Sequence, residues 1–459
     1  MATETSDPVR LPPGPRWPKL VQGAVVLTLR YQSIEALGRK FGPSFTLRLP
    51  ALGDAVVVSD PTLVKDLFST SRDLIGRPKQ NLGKEVLGEG SIFNLEGEEL
   101  QARRKILLPP FHGKSMRTYE RITEEEVRKE IAGWPEGVEF ETVEPMTRIT
   151  LNTILRAIFG AEGPALDQLR VLIPAAVEFG SRLALAPTVV KKDFGKWSPG
   201  GRFKQFKQQV DDVIFALMAE ARSDPNFENR ADVLSLLLQA RNENGEPLSD
   251  RHIADELLTE LVAGHETTST QLSWAIERLR RHPDVLARLT AEVDEGAGNE
   301  YLLAVLSEVQ RTRPVLTAAL RRTKKRIRLG EWVIPEDTIV MASTQLAMTR
   351  EASFPDAKTF DPDRFVGQTP SPFAWIPFGG GMMRCIGASF ATMEMEITLR
   401  TILQEFRIEP TTAPDERIHT RGVTVAPGRG GLLMVRRRND RRAAAEVTDV
   451  AAEPDHSTA

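Results

Sequence analysis

The decapeptide FGGGMMRCIG, residues 378–387, holds the only cysteine in a chain of 459 residues. Glycines at 379, 380, 381 and 387 leave little bulk around Cys385, so backbone amides and a flat ligand can come close to its sulfur. The apolar, helix-forming run ASFATMEMEITLRTIL follows directly. It puts the thiol near a helix N-terminus, where partial positive charge lowers its pKa. A nucleophilic cysteine needs a histidine beside it, and the 6 histidines are scattered with no local pairing. A metal ligand is the more economical reading, and a buried structural cysteine is the plain alternative.

Three further stretches carry chemical groups. AGHETT, residues 263–268, lies halfway along a helical pattern over 251–281. A mid-helix glycine costs roughly 1 kcal/mol against alanine, and a threonine hydroxyl bonded to a carbonyl one turn back loosens the ladder. EVQR, residues 308–311, sets Glu308 and Arg311 on one helix face, a spacing common among solvated surface pairs. EELQARRK contains Arg104, and Arg321 opens a strand after RTRPV.

These groups need a scaffold, and the rest of the chain supplies mostly helix. Periodicity predicts helices over 116–131, 148–159, 202–222, 231–241, 251–281, 300–311 and 386–406. SFTLRLP, DAVVVSD, RIRLGEWVIPEDTIVM and GLLMVRR read as strands of small sheets at the edge. Ser249 or Asp250 caps the longest helix, and Pro283 ends it. With no internal repeat and no composition break, the expectation is one mainly α domain over 11–438 with small β-sheets. Residues 1–10 read as a flexible leader, LPPGPRWP as an extended entry, and 439–459 as a disordered tail poor in large apolar residues.

Composition narrows the function. A single cysteine excludes an internal disulfide and a multi-cysteine metal cluster, so the cytoplasm is the expected compartment. A net charge of −3 shows no bias toward nucleic acid. No run approaches the ~20 apolar residues of a membrane span, so no transmembrane anchor is expected.

Together the motifs resemble the cytochrome P450 superfamily, soluble bacterial type, over about residues 11–436. Phe378, Gly381, Cys385 and Gly387 match its haem-thiolate loop, and AGHETT, EVQR with FDPDRF, and EELQARRK follow its other signatures in order. The resemblance implies a single-domain P450 fold around a buried haem b whose iron takes the Cys385 thiolate. Phe378, Gly379, Gly387, Ala263, Arg104 and Arg321 are then cofactor contacts, with the two arginines as propionate partners. It makes Glu266 and Thr267 the acid and alcohol that deliver protons to dioxygen, in a groove admitting O2 and water. It makes Glu308, Arg311 and Arg364 a buried structural triad.

The activity so implied is a monooxygenase acting on a hydrophobic small molecule, with thiolate donation favouring O–O cleavage. The alternatives are a peroxide-using or non-oxygenating haem-thiolate enzyme, or a non-catalytic binding homologue that holds haem weakly. Substrate contacts are expected from 80–93, 177–196, Leu261, Val262, Ala263, Val315, Leu316 and Val423. No flavin or iron–sulfur motif is visible, so electrons are expected from a ferredoxin or flavodoxin with its reductase, docking on a basic patch of Arg103, Lys105 and Arg384. The chain departs from the family pattern at Leu100, Met383 and Met348, where polar residues are usual. The first two positions imply weaker or shifted propionate contacts.

Overall fold

The computed structural model describes all residues except 51, 80–85, 161, 185–191, 231, 243–244, 297, 422 and 439–459. The expected tail therefore lies outside the described residues. From the N-terminus, β1 (Thr3–Glu4), α1 (Lys19–Thr28) and α2 (Arg30–Phe41) lead into the hairpin β2 (Ser44–Leu49) and β3 (Gly53–Val58). Next come α3 (Pro61–Phe68) and the short β4 (Ile75–Gly76).

A helical stretch follows: α4 (Gly97–Leu107), α5 (Lys114–Ile131), β5 (Phe140–Glu141), α6 (Val143–Phe159), α7 (Pro164–Ala184) and α8 (Pro199–Ser223). It continues through α9 (Val233–Gln239), α10 (Asp250–Arg281), α11 (Pro283–Glu295) and α12 (Glu300–Thr312). The chain then returns to the sheets as β6 (Ala318–Thr323), β7 (Ile327–Leu329), β8 (Trp332–Ile334) and β9 (Ile339–Ser343), with α13 (Thr344–Met348) behind them. A long irregular stretch leads to α14 (Ala388–Glu405). Short strands β10 (Phe406–Ile408), β11 (Ile418–Arg421), β12 (Thr424–Pro427), β13 (Leu432–Leu433) and β14 (Val435–Arg437) finish the fold.

The main sheet has five strands in the order β2-β3-β9-β6-β4. Only β3 and β9 run parallel, with Val57 opposite Met341. Its β-branched strands are buried almost throughout, as expected for a sheet covered on both faces.

α10 is the beam of the helical part. Its 32 residues span about 48 Å at 1.5 Å per residue. The Ser249 hydroxyl caps it by accepting the His252 N–H at 3.2 Å. Ile253, Leu257, Leu258 and Leu261 belong to one apolar core. Leu272, Trp274, Ile276 and Leu279 belong to another. α14 joins the same two cores, through Phe390, Met393 and Ile397 on one side and Leu399, Ile402 and Leu403 on the other. AGHETT occupies the junction between the two cores on α10, and the cysteine loop leads into α14.

One expectation is corrected and one extended. The stretch 1–10 is not a loose leader: β1 pairs with β7, and Arg10 exchanges two backbone hydrogen bonds with Val333 at 2.9 Å. Backbone pairing on an open strand edge needs no apolar side chains, so composition gave no sign of it. Pro283 both ends α10 and opens α11 at its first turn, where a missing N–H costs nothing.

Trp274 is fully buried on α10, and its indole N–H donates to the Val425 carbonyl at 2.9 Å. Trp274→Ala should lower unfolding free energy by about 3–5 kcal/mol, with Trp274→Phe intermediate, as read from urea denaturation. A loss under about 1 kcal/mol for the alanine variant would show that this core collapses around the gap.

Candidate active site around Cys385

The segment before the cysteine is irregular and is held by a buried ion pair. Glu308 and Arg311 of α12 are both fully buried and meet through two N–H···O contacts, at 2.6 and 2.7 Å. Arg311 also donates to the carbonyls of Met348, Ala357 and Thr359 at 2.8–3.0 Å. Arg364 approaches Glu308 at 3.7 Å and donates to the carbonyls of Pro355 and Asp356. The structure thus brings Glu308, Arg311 and Arg364 together. Further along, the Trp375 indole N–H donates to Ser307 of α12 at 3.1 Å, and its ring meets Phe378 edge-on at 6.3 Å.

The loop itself closes where the Cys385 N–H donates to the Phe378 carbonyl at 3.0 Å. Gly379 and Gly381 have φ of +64° and +63°, the left-handed region in which a side chain is strained. A side chain on Gly380 would run into the Phe68 ring at 2.1 Å, and one on Gly381 into the Phe68 carbonyl at 2.2 Å. Those two glycines seat the loop on the end of α3. At Gly387, by contrast, nothing lies within 4 Å of where a side chain would start, which leaves room for a flat ligand.

Cys385 is solvent-accessible, yet burial pushes its thiol pKa up. The two agree for a sulfur that opens onto an interior cleft rather than onto bulk water. The Gly387 N–H, Arg384 and Arg104 favour the thiolate, but burial outweighs them. Burial thus outweighs the lowering expected from the helix N-terminus, although the Gly387 N–H at the start of α14 acts in the expected direction.

Arginines gather beside the loop. Arg104 donates to the Arg384 carbonyl at 2.7 Å. Arg321 is buried, donates to the carbonyls of Gly380 at 2.8 Å and Leu320 at 2.9 Å, and lies over the Phe68 ring. Burial and the field of Arg77 bring its pKa down to about 10. Arg77, which sequence reasoning missed, is likewise brought down to about 10 by burial, and Arg104 adds to the effect. Glu96, the acid nearest Arg77, bonds its backbone N–H rather than its guanidinium. Among the described residues neither Arg104 nor Arg321 has a carboxylate partner. Arg321 is buried and Arg77 and Arg104 half-buried, with the field of Arg104 reaching Arg77 and that of Arg77 reaching Arg321, a run of cations that fits a cofactor bearing carboxylates. No spacing or periodicity marks Arg77 in sequence; only the fold brings β4 beside α4 and β6.

α10 carries the AGHETT stretch. Between Ile253 and Arg280, Glu260, Val262, Ala263, Gly264 and Thr267 are the only residues of this helix that are not fully buried. Thr267 donates to the Ala263 carbonyl at 2.8 Å, the one-turn back-bond expected from sequence. The helix is nevertheless continuous there. Gly264 serves packing: a side chain on it would touch Ile154 of α6 at 3.2 Å, and Thr150 of α6 bonds the His265 carbonyl at 3.0 Å. His265 is buried and held neutral, its pKa down to about 4, so it is a structural residue.

Glu266 turns away from Thr267. Its carboxylate accepts the Thr424 hydroxyl at 3.3 Å, and burial raises its pKa despite the nearby Arg421.

Of the apolar candidates, Leu316 and Val423 are exposed and Val262 and Val315 half-buried. The Val425 N–H donates to the Val315 carbonyl at 3.0 Å, which ties the β11–β12 hairpin to this wall. Leu261 is fully buried in the core and cannot touch a substrate, a correction forced by the helical phase between Glu260 and Val262. Parts of the expected loops 80–93 and 177–196 lie outside the described residues.

Leu100 is fully buried in the apolar core, Met383 packs against the same core, and Met348 is buried. These three departures are thus packing positions. Arg103 is also buried, paired with Glu256 and bonded to the Gly90 carbonyl at 2.8 Å, so it drops out of the expected docking patch. Lys105 and Arg384 remain exposed.

A thiol on a glycine-seated loop with arginines beside it suits a haem-thiolate centre. The family model for cytochrome P450 matches residues 12–434, and the chain belongs to that family. The family's cofactor is haem b with a cysteine thiolate on iron, and its general activity is monooxygenation.

Among relatives, the chain is 49% identical to a protein of Mycobacterium tuberculosis provisionally named cytochrome P450 138, over 94% of this chain and 97% of that one. It is 37% identical to another, provisionally named cytochrome P450 135B1, over 95% and 94%. Among solved structures, retinoic acid-bound cyanobacterial CYP120A1 superposes with a TM-score of 0.82 at 22% identity, covering 94% of this chain and 100% of that one. CYP102L1 gives 0.80 at 26% identity, with coverage of 94% and 100%.

Two outcomes test the site's energetics. Arg311→Met strands the Glu308 carboxylate and should cost about 3–5 kcal/mol, seen as a lower denaturation midpoint and poor haem retention. Glu394 of α14 is wholly buried beside the Thr153 hydroxyl, without a hydrogen bond of normal geometry, and its pKa is raised well above the ordinary 4.5. An acid whose folded pKa is raised destabilises the fold as pH climbs past the unfolded value, because only the unfolded state releases the proton. Glu394→Gln should thus be more stable than the parent at neutral pH, with the gap closing as pH falls below about 4.5. A pH-independent difference would contradict a neutral Glu394.

Proposed function

We propose that this chain inserts one oxygen atom of O2 into a hydrophobic small molecule, using electrons from separate redox proteins. The observation that supports the reading is Cys385 on its glycine-seated loop, with Arg104 bonded to the Arg384 carbonyl and Arg321 to the Gly380 carbonyl. The reaction balances as substrate RH, O2, two electrons and two protons giving ROH and water.

In this reading Cys385 would hold the haem iron through its sulfur, and Arg77, Arg104 and Arg321 would hold the cofactor's carboxylates. Haem bound there would supply the oxygen-activating chemistry. The chain's own residues supply the protons. The Thr267 hydroxyl, bonded to the Ala263 carbonyl at 2.8 Å, would hold a proton on this part of α10. Glu266, whose raised pKa keeps it protonated closer to neutral pH, reloads Thr267 after its side chain swings off Thr424. Val262, Val315, Leu316 and Val423 give an apolar wall that excludes water and orients the guest.

Electron entry falls on the cysteine side, where exposed Lys105 and Arg384 suit an acidic ferredoxin or flavodoxin. Among the described residues no helix is long and apolar enough to cross a membrane. A cytoplasmic enzyme is the reading consistent with that.

The test is the optical spectrum of the reduced, carbon monoxide-treated protein. The parent should show the thiolate-ligated form, and Cys385→Ser should lose it while remaining folded by circular dichroism. Thr267→Ala should keep the spectrum but lower product formed per reducing equivalent by at least about tenfold. If Cys385→Ser kept the parental spectrum, the assignment would be wrong.

A further inference from the structure

The turn before α8 presents two aromatic side chains and a group of cations to solvent. Trp197 is 87% exposed, more than any other large apolar side chain among the described residues, and Phe194 is 69% exposed. Around them Lys192, Lys196, Arg202 and Lys204 are all exposed, and Asp193 is the one acid in the same stretch. Lys204 takes that acid at 3.1 Å. Among the described residues Lys192, Lys196 and Arg202 have no carboxylate partner, and Lys196 lies over the Trp197 ring at 5.5 Å.

The turn is tied down by its own hydrogen bonds. The Ser198 hydroxyl accepts the N–H groups of Phe194 at 2.9 Å and Gly201 at 3.1 Å, and it donates to the Gly195 carbonyl at 2.8 Å. Asp193 accepts the Gly195 N–H at 2.8 Å. A side chain on Gly201 would meet the Gly195 carbonyl at 2.1 Å, so the turn packs directly on the first turn of α8. Phe203 goes inward from that helix, buried and stacked on Phe179 of α7. The same segment therefore has an aromatic for the core, yet holds Phe194 and Trp197 outward in a fixed turn, a cost that only a covering surface recovers.

We infer that this turn docks on a bilayer surface containing anionic lipid, with Phe194 and Trp197 entering the headgroup region and the cations meeting lipid phosphates. An indole is apolar in body and polar at its N–H, and a lysine stem lies along apolar material while its charge stays at headgroup level. A second copy of the chain suits the patch poorly, because a two-fold contact would set its unpaired cations against one another. Such attachment needs no spanning helix, and among the described residues none is long and apolar enough to be one. The inference makes no use of the monooxygenase reading and is tested apart from it.

Haem-loaded full-length protein is sedimented with vesicles of mixed phosphatidylglycerol and phosphatidylcholine, and with vesicles of phosphatidylcholine alone. The mixed vesicles should bind at least about tenfold tighter at low salt, since each basic residue near an anionic surface contributes about fivefold, and the advantage should shrink at high salt. Phe194→Ser with Trp197→Ser should weaken binding to the mixed vesicles at least about tenfold, and Lys192→Gln with Lys196→Gln should remove most of the preference for anionic lipid. All four side chains are exposed, so these variants should melt with the parent. A parent that binds neither vesicle, or both equally, overturns the inference, and so does binding that survives the double serine variant. A parent that dimerises without lipid while Trp197→Ser is monomeric assigns the patch to a second copy and overturns it as well.

Discussion

The Arg311 guanidinium is the interaction on which the rest of the site depends. Between α13 and α14 the chain has only two short 3-10 turns, Pro362–Phe365 and Gly381–Met383, to satisfy its carbonyls, and buried carbonyls left bare are costly. Arg311 answers three of them at once, from Met348, Ala357 and Thr359, while its remaining N–H groups go to Glu308. Glu308 in turn accepts the Asp361 N–H at 2.8 Å. One planar fork on a rigid helix therefore fixes an irregular segment by charge-assisted bonds in a place where no water competes. That rigidity is handed on through Trp375 to the loop that presents Cys385.

Downstream, backbone shape replaces charge as the positioning device. Phe68 stands at the end of α3, and the glycines at 380 and 381 let the loop lie directly on its ring and carbonyl. The same ring carries the Arg321 guanidinium on its face, with a ring–cation distance of 5.2 Å. Phe68 thus sets the height of the cysteine loop and the position of a buried cation together. This explains why three glycines precede the cysteine without any of them needing to touch a ligand. Only Gly387, on the other side of the sulfur, opens onto free space.

Much of this was legible in sequence because it rests on periodicity and on strong punctuation. The helices at 116–131, 148–159, 202–222, 251–281, 300–311 and 386–406 appear within a few residues of the expected ends. Helix α7 escaped because Pro174 sits inside it, and α1 to α4 are too short or too polar to repeat their pattern. The Glu308–Arg311 pair could be named, but its three carbonyl partners could not, since they lie 37 to 48 residues away in sequence. Arg103 and Arg104 are adjacent and chemically alike, yet one is buried against Glu256 and the other faces the cysteine loop. Helical phase at a tertiary contact made that choice, and no local signal encodes it. Phe68 and Arg77 were missed for the same reason: their residue types are ordinary and their meaning lies in what the fold sets opposite them.

The uncovered face of α10 brings these strands of argument together. A helix buried on nearly all sides can present a short open stripe only if its other faces are clamped hard. Here the clamp is α6, drawn in by the missing side chain of Gly264 and by the Thr150 bond to the His265 carbonyl. Trp274 anchors the next turns to the β11–β12 hairpin, and Thr424 of that hairpin holds Glu266 aside. Glu260, Val262, Ala263, Gly264 and Thr267 remain as the residues of this stretch of α10 that are not fully buried. Polar groups on that stripe are held by the helix ladder rather than by partners across the cleft, so they stay available to whatever enters it.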